Sequence, residues 1–141
     1  MKRNLITILS LVVMSLMFNA TGAYAQAFAK ADVPFAFNVG TAQLPAGTYE
    51  VKTLSPYQIM IQNRETSAAA MAIARRDGSR TGETKLVFHR IGTQYFLSEV
   101  WRDGSAGMIV PTSKHEQELT RELQLAKGRS SGRANVVVAL K

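Results

Sequence analysis

The chain has 141 residues, with 17 Lys+Arg against 10 Asp+Glu, a formal charge of +7, four Pro, ten Gly and no Cys. One domain is the most this length accommodates, and the counts exclude a disulfide scaffold, a collagen-like or low-complexity chain and a polytopic membrane protein. Beyond residue 25 there are 116 residues, of which 27 are Leu, Ile, Val or Phe. That is about 23%, above the roughly 20% below which chains tend to stay disordered, so this part is expected to fold around a modest core.

Lys2 and Arg3 precede the apolar run Leu5 to Phe18, and Ala23-Tyr24-Ala25 follows with small residues where a signal peptidase needs them. Residues 1–25 therefore read as a signal peptide cleaved before Gln26. The run is shorter than the roughly 20 residues a membrane-spanning helix needs, so no transmembrane segment is expected after cleavage. The expected localisation is exported, periplasmic or extracellular. Without Lys2 and Arg3 the balance is 15 basic to 10 acidic residues, or +5, an excess that suits an anionic envelope polymer or simply solubility.

Residues 26–32 read as a flexible arm, and residues 33–141 as a single β-rich domain. Val33, Phe35, Phe37 and Val39 alternate along a first strand that Pro34 confines to an edge or a strand start. Leu44-Pro45-Ala46-Gly47 is a turn into Thr48–Thr53, where Tyr49, Val51 and Thr53 share a face opposite Glu50 and Lys52. Tyr57, Ile59 and Ile61 line the next strand. Ala68 to Arg75 is read as a strand whose alanines make room for large neighbours, despite the helical propensity of alanine.

The strongest β signal is Thr84–Arg90 and Gln94–Trp101, joined through Ile91-Gly92-Thr93 as a hairpin. Arg76-Asp77-Gly78-Ser79 and Arg102-Asp103-Gly104-Ser105 repeat one tetrapeptide, read as two uses of the same Asp-Gly turn. Gly107 to Val110 is a short strand stopped by Pro111. Ser113 and Glu116 form the spacing of a capping box at the start of a helix over about 114–127. Leu119, Leu123 and Ala126 give that helix its apolar stripe, Glu116, Arg121 and Glu122 are expected to face water, and Gly128 is the stop. A basic link, Gly128 to Arg133, leads to a Val-rich last strand over about 134–140. The fold class expected is mainly β, a small antiparallel barrel or sandwich of seven or eight short strands, with one C-terminal amphipathic helix followed by the last strand.

The chemistry-bearing residues are sparse. His89 and His115 have no second His or Cys near them, so no metal site is expected, and His89, alternating with Val87 and Lys85, reads as a surface or interstrand imidazole. Gly104-Ser105-Ala106-Gly107 lacks the first glycine of a nucleophile elbow and follows a strand without opening a helix. No carboxylate pair, phosphate-binding glycine loop or dinucleotide fingerprint is present, so no catalytic residue and no cofactor are expected. Arg75, Arg76, Arg90 and Arg102, with Tyr95 and Trp101, lie at or beside strand ends and form a candidate surface patch for a polyanion, though their spacing fits no specific nucleic-acid motif.

Val33-Pro34-Phe35-Ala36-Phe37-Asn38-Val39-Gly40, Leu44-Pro45-Ala46-Gly47-Thr48-Tyr49, Lys85-Leu86-Val87-Phe88-His89-Arg90 and Tyr95-Phe96-Leu97 together resemble an uncharacterised group of small exported bacterial proteins of acidobacterial type. The likeness spans roughly residues 33–122. It implies a bacterial, exported, single-domain β-rich protein and carries over no catalytic residue. The function expected is a non-enzymatic β domain that binds a partner or has a structural role in the cell envelope. The alternative is a lipocalin-like carrier of a small apolar ligand, an analogy of architecture only.

Overall fold

The computed structural model describes residues 29–80, 82–127 and 133–141. The expected leader, residues 26–28 of the expected arm, the Gly128 stop and residues 129–132 of the basic link lie outside the described residues.

Alternation builds the first sheet. β1 (Ala29–Val33) buries Ala29, Ala31 and Val33 and exposes Lys30 and Asp32. Residues 29–32 are therefore strand and not a flexible arm. Two alanines carry too weak an apolar signal to announce a strand, and pairing with β4 (Gly47–Ser55) supplies what propensity does not, with Ala29 opposite Val51 and Val33 opposite Gly47. Pro34 follows directly and ends β1, since it has no N–H for a ladder. β5 (Gln58–Gln62) and β6 (Ala69–Ile73) complete an antiparallel sheet of order β1-β4-β5-β6. Ala70 and Ala72 lie opposite Ile61 and Ile59 and are buried, while Met71 and Ile73 on the other face are 67% and 71% exposed. Small residues inside and large ones outside confirm the strand reading of this alanine-rich stretch. The turn before it is shaped by Asn63, whose Oδ1 accepts the N–H groups of Glu65 and Thr66 at 2.9 and 3.1 Å.

The second sheet has the order β11-β8-β9-β10-β7, formed by β7 (Arg75–Arg80), β8 (Lys85–Ile91), β9 (Gln94–Trp101), β10 (Ala106–Ile109) and β11 (Ala134–Ala139). β2 (Phe37–Val39) pairs with β3 (Ala42–Leu44) and meets β9 in parallel at Asn38 and Phe96. Eleven short strands thus form among the described residues. The excess over the expected seven or eight comes from Pro34 splitting one run, from Ala74 marking the passage from β6 to β7, and from the short β3. The architecture is a sandwich, not a closed barrel. The sheets meet at one corner through an isolated bridge between Ala31 and Leu140, and no ladder joins β6 to β7 at the other.

Between the sheets Phe37 stands edge-on to Tyr49 and Phe88, at centroid distances of 5.1 and 5.2 Å. All three are fully buried, as are Ile59, Ile61 and Leu86, each contributing about 1.5–3 kcal/mol of apolar burial. The opposite face of the second sheet carries Val87, Ile91 and Phe96, buried outside this main core. α1 (Lys114–Lys127) covers that face: His115 lies 5.8 Å from the Phe96 ring, and Leu123 reaches Gly92 at the tip of the β8–β9 hairpin. Its sheet-facing stripe is the buried Glu116 with the half-buried Leu119, Thr120 and Leu123, whereas Ala126, expected in the stripe, is exposed. Among the described residues no helix is long and apolar enough to cross a membrane.

Candidate functional site

Two polar constellations lie on the second sheet. The first is a cleft of about 120 Å³ lined by Thr53, Arg76, Arg102, Ser105 and Met108, among others. Thr53 belongs to the first sheet, so the cleft sits where the two sheets meet. Arg102 follows β9 and precedes Gly104, which turns the chain with φ +67°. Its Nη1 donates to Thr53 Oγ1 at 3.2 Å, and the Thr53 hydroxyl lies 3.9 Å from Met108 Sδ. One guanidinium is thereby held in place, and Arg76 arrives from β7, opposite Met108 in β10. Two guanidinium groups and two hydroxyls, with no carboxylate among the described lining residues, make a setting that favours an anion.

The repeated tetrapeptide explains how these arginines meet. Only Arg102-Asp103-Gly104-Ser105 is a turn. Arg76-Asp77-Gly78-Ser79 lies inside β7, at an irregularity where the step from Ala106 to Met108 is matched by the longer step from Arg80 to Arg76. The Asp-Gly pair serves a bulge there, since pairing with β10 overrides its turn preference.

The six-residue patch expected from the sequence does not form one surface. Arg76 and Arg102 share the cleft. Arg75 is the next residue along β7, opposite Ile109, and alternation directs it to the other face. Arg90 lies at the far end of the β8–β9 hairpin, about 20 Å along the strand, with its Nε donating to Gly92 O at 3.2 Å. Tyr95 stacks on Phe35 with ring centroids 3.9 Å apart. Trp101 is buried, donates from Nε1 to Glu99 Oε2 at 2.6 Å, and packs so closely on Gly107 that a Cβ there would overlap the indole. Both aromatics are taken up by packing, which the apolar bulk of their rings favours.

The second constellation was not legible as a site. His89 Nδ1 lies 2.9 Å from Glu116 Oε1 and His89 Nε2 lies 2.9 Å from Ser98 Oγ. A carboxylate only accepts, so Nδ1 carries the proton, and in the neutral imidazole Nε2 accepts from the Ser98 hydroxyl. Arg133 Nη2 adds a contact to Glu116 Oε1 at 3.4 Å. Glu116, expected to face water, is 3% exposed. The capping box is half realised: Ser113 Oγ accepts from the Glu116 N–H at 3.1 Å, but the Glu116 carboxylate goes to the imidazole on the sheet. A bulge supplies Ser98. Phe88 pairs with Leu97 and Val87 with Glu99, leaving Ser98 unmatched in that ladder and able to turn its side chain toward His89. A serine, a histidine and a carboxylate in this order form the relay of a hydrolase, yet Ser98 is 5% exposed beneath α1. The contacts run from the sheet through His89 to Glu116 on α1, and the arrangement acts as a polar clamp holding α1 on the sheet.

Tyr49 forms a third polar anchor, within the core. Its hydroxyl donates to Pro45 O at 2.6 Å. Burial pushes the phenol above its usual range, against the opposing effect of a hydrogen bond from the Asn63 side chain. The chain matches no known protein family, no curated protein and no solved structure.

Proposed function

We propose that this chain is an exported, non-enzymatic β domain that binds an anionic partner, such as an acidic envelope polymer, through the Arg76–Arg102 cleft. The observation that carries the reading is the convergence of Arg76 and Arg102, with the Thr53 and Ser105 hydroxyls, on one cleft that has no carboxylate among its described lining residues. The positive charge beyond residue 25, 15 basic against 10 acidic residues or +5, draws polyanions toward it over a distance set by salt. Export rests on the Lys2-Arg3, Leu5–Phe18 and Ala23-Tyr24-Ala25 pattern. The apolar-carrier alternative gains nothing from this cleft, which at about 120 Å³ is smaller than the roughly 300 Å³ at which ligand pockets begin.

Retention on immobilised heparin tests the reading. The protein should bind at low salt and elute as salt rises, and the Arg76→Ala/Arg102→Ala pair should elute markedly earlier, while Arg90→Ala, at the far end of the hairpin, elutes with the parent. Equal losses from all three arginines would leave only diffuse charge, and no retention would remove polyanion binding. Export is tested separately, by whether the amino terminus of protein recovered outside the inner membrane begins at Gln26.

A further inference from the structure

The Arg76–Arg102 cleft has two features that its charge does not account for. The first is its floor: Val100 and Met108, both buried, line it with Ala106 beside the two guanidinium groups, so an occupant meets apolar carbon as well as positive charge. The second is Tyr57. Of the described aromatic residues it alone is exposed, at 63%, while Phe35, Phe37, Tyr49, Phe88 and Tyr95 pack ring against ring within the fold. Ile59 and Ile61 of β5 are fully buried, and alternation carries Tyr57, two residues before Ile59, toward the same side. Its carbonyl accepts the Ala74 N–H at 2.8 Å, which sets it opposite Ala74, with Arg76 two residues and about 7 Å further along the chain. On β4 the cleft residue Thr53 is opposite Ile59 and so diagonal to Tyr57, a spacing that an aromatic side chain spans. The phenol ring therefore borders the cleft between Thr53 and Arg76.

We propose that the partner is an acidic polysaccharide, held with one charged group between Arg76 and Arg102 and with a neighbouring sugar ring lying on the face of Tyr57. The inference rests on the anion-binding reading of the cleft and adds what the anion is attached to. A pyranose ring has a face of C–H groups and an edge of hydroxyls. The C–H face suits the electron-rich face of an exposed phenol, and the hydroxyls suit Thr53 and Ser105, each of which both donates and accepts. A carboxylate or sulfate on the ring supplies the charge that guanidinium groups pair with. A bare polyanion such as polyphosphate uses the arginines but leaves Tyr57 and the apolar floor without a role. Single-stranded nucleic acid is served by several aromatic platforms for successive bases, and this surface offers one.

Titration calorimetry at one salt concentration tests this with three ligands: polygalacturonate, with a carboxylate on every ring; polyphosphate, with charge and no ring; and a single-stranded oligonucleotide. Tyr57→Ala, at an exposed site where circular dichroism should show the fold unchanged, is expected to weaken polygalacturonate binding about three- to tenfold. Tyr57→Phe, which keeps the ring face, should bind like the parent. Polyphosphate should lose far less to Tyr57→Ala. Equal losses on polygalacturonate and polyphosphate, no loss on either, or a parent that binds polyphosphate and not polygalacturonate would overturn the saccharide inference. A larger loss on the oligonucleotide than on polygalacturonate would overturn it in favour of base stacking. The Arg76→Ala/Arg102→Ala pair keeps the two claims apart. It should weaken binding of all three ligands whatever Tyr57 does, and if it weakens none, or if the parent binds none, the cleft reading itself fails and this inference with it.

Discussion

Glu116 on α1 and His89 on β8 are 27 residues apart in the chain and 2.9 Å apart in space. The carboxylate that the Ser113–Glu116 spacing assigns to the helix's own first turn instead crosses to the sheet, where it fixes the tautomer of a histidine that in turn holds Ser98. This one contact sets both the roll of α1 and the buried end of its stripe. Replacing Glu116 by Ala leaves the imidazole and the Arg133 guanidinium without their acceptor and should cost about 2–4 kcal/mol in urea unfolding. Glu116→Gln, which keeps an acceptor oxygen, should cost less. Equal losses would mean that hydrogen bonding to His89 contributes nothing.

The buried clamp also separates structure from catalysis at Ser98. A fluorophosphonate probe, which labels activated serines, should leave the folded protein unmodified because Ser98 is 5% exposed beneath α1. Mass spectrometry reads the outcome directly. Stoichiometric labelling at Ser98 that stops in His89→Ala would establish a hydrolase instead.

Much of the sheet was legible because alternation is a direct signature of one buried face. Tyr49 with Val51, Ile59 with Ile61, and the β8–β9 hairpin all lie where the pattern puts them. Ala29–Val33 escaped because alanines carry a weak signal and long-range pairing decides. Asp77-Gly78 misled because the same dipeptide suits a turn and a bulge, and only the partner strand distinguishes them. The cleft was half legible: Arg76 and Arg102 were singled out, but their separation from Arg90, Tyr95 and Trp101 depends on which strand ends meet. The His89 clamp left one sequence trace, a glutamate at a capping position, and that trace has an ordinary local explanation.

Stability should fall on the alkaline side. Burial raises the Tyr49 phenol above its ordinary value, so the fold favours the neutral form; its contribution is fully present below the unfolded value, about 10, and is lost as pH rises from there through the folded value. The urea midpoint of the parent should therefore drop above about pH 10 more steeply than that of Tyr49→Phe. At pH 7 the same substitution should cost about 1 kcal/mol, for the lost bond to Pro45 O. Parallel alkaline slopes would contradict the assignment.

Gly107 is fixed by the Trp101 indole. A methyl group there would overlap the ring, so Gly107→Ala should destabilise by about 1–3 kcal/mol and shift tryptophan fluorescence, Trp101 being the only tryptophan in the chain. Gly78→Ala, where nothing lies within 4 Å of the added carbon, serves as the control and should leave both nearly unchanged.

The most direct test of the binding account is residue-resolved. Amide nuclear magnetic resonance of the isotopically labelled protein, titrated with a heparin oligosaccharide, should shift Thr53, Arg76, Arg102, Ser105 and Ala106 together along one binding curve, with Arg90 and Tyr95 still. Shifts scattered over every basic strand end, or none at concentrations that saturate nonspecific binding, would contradict the cleft as the place where this protein meets its partner.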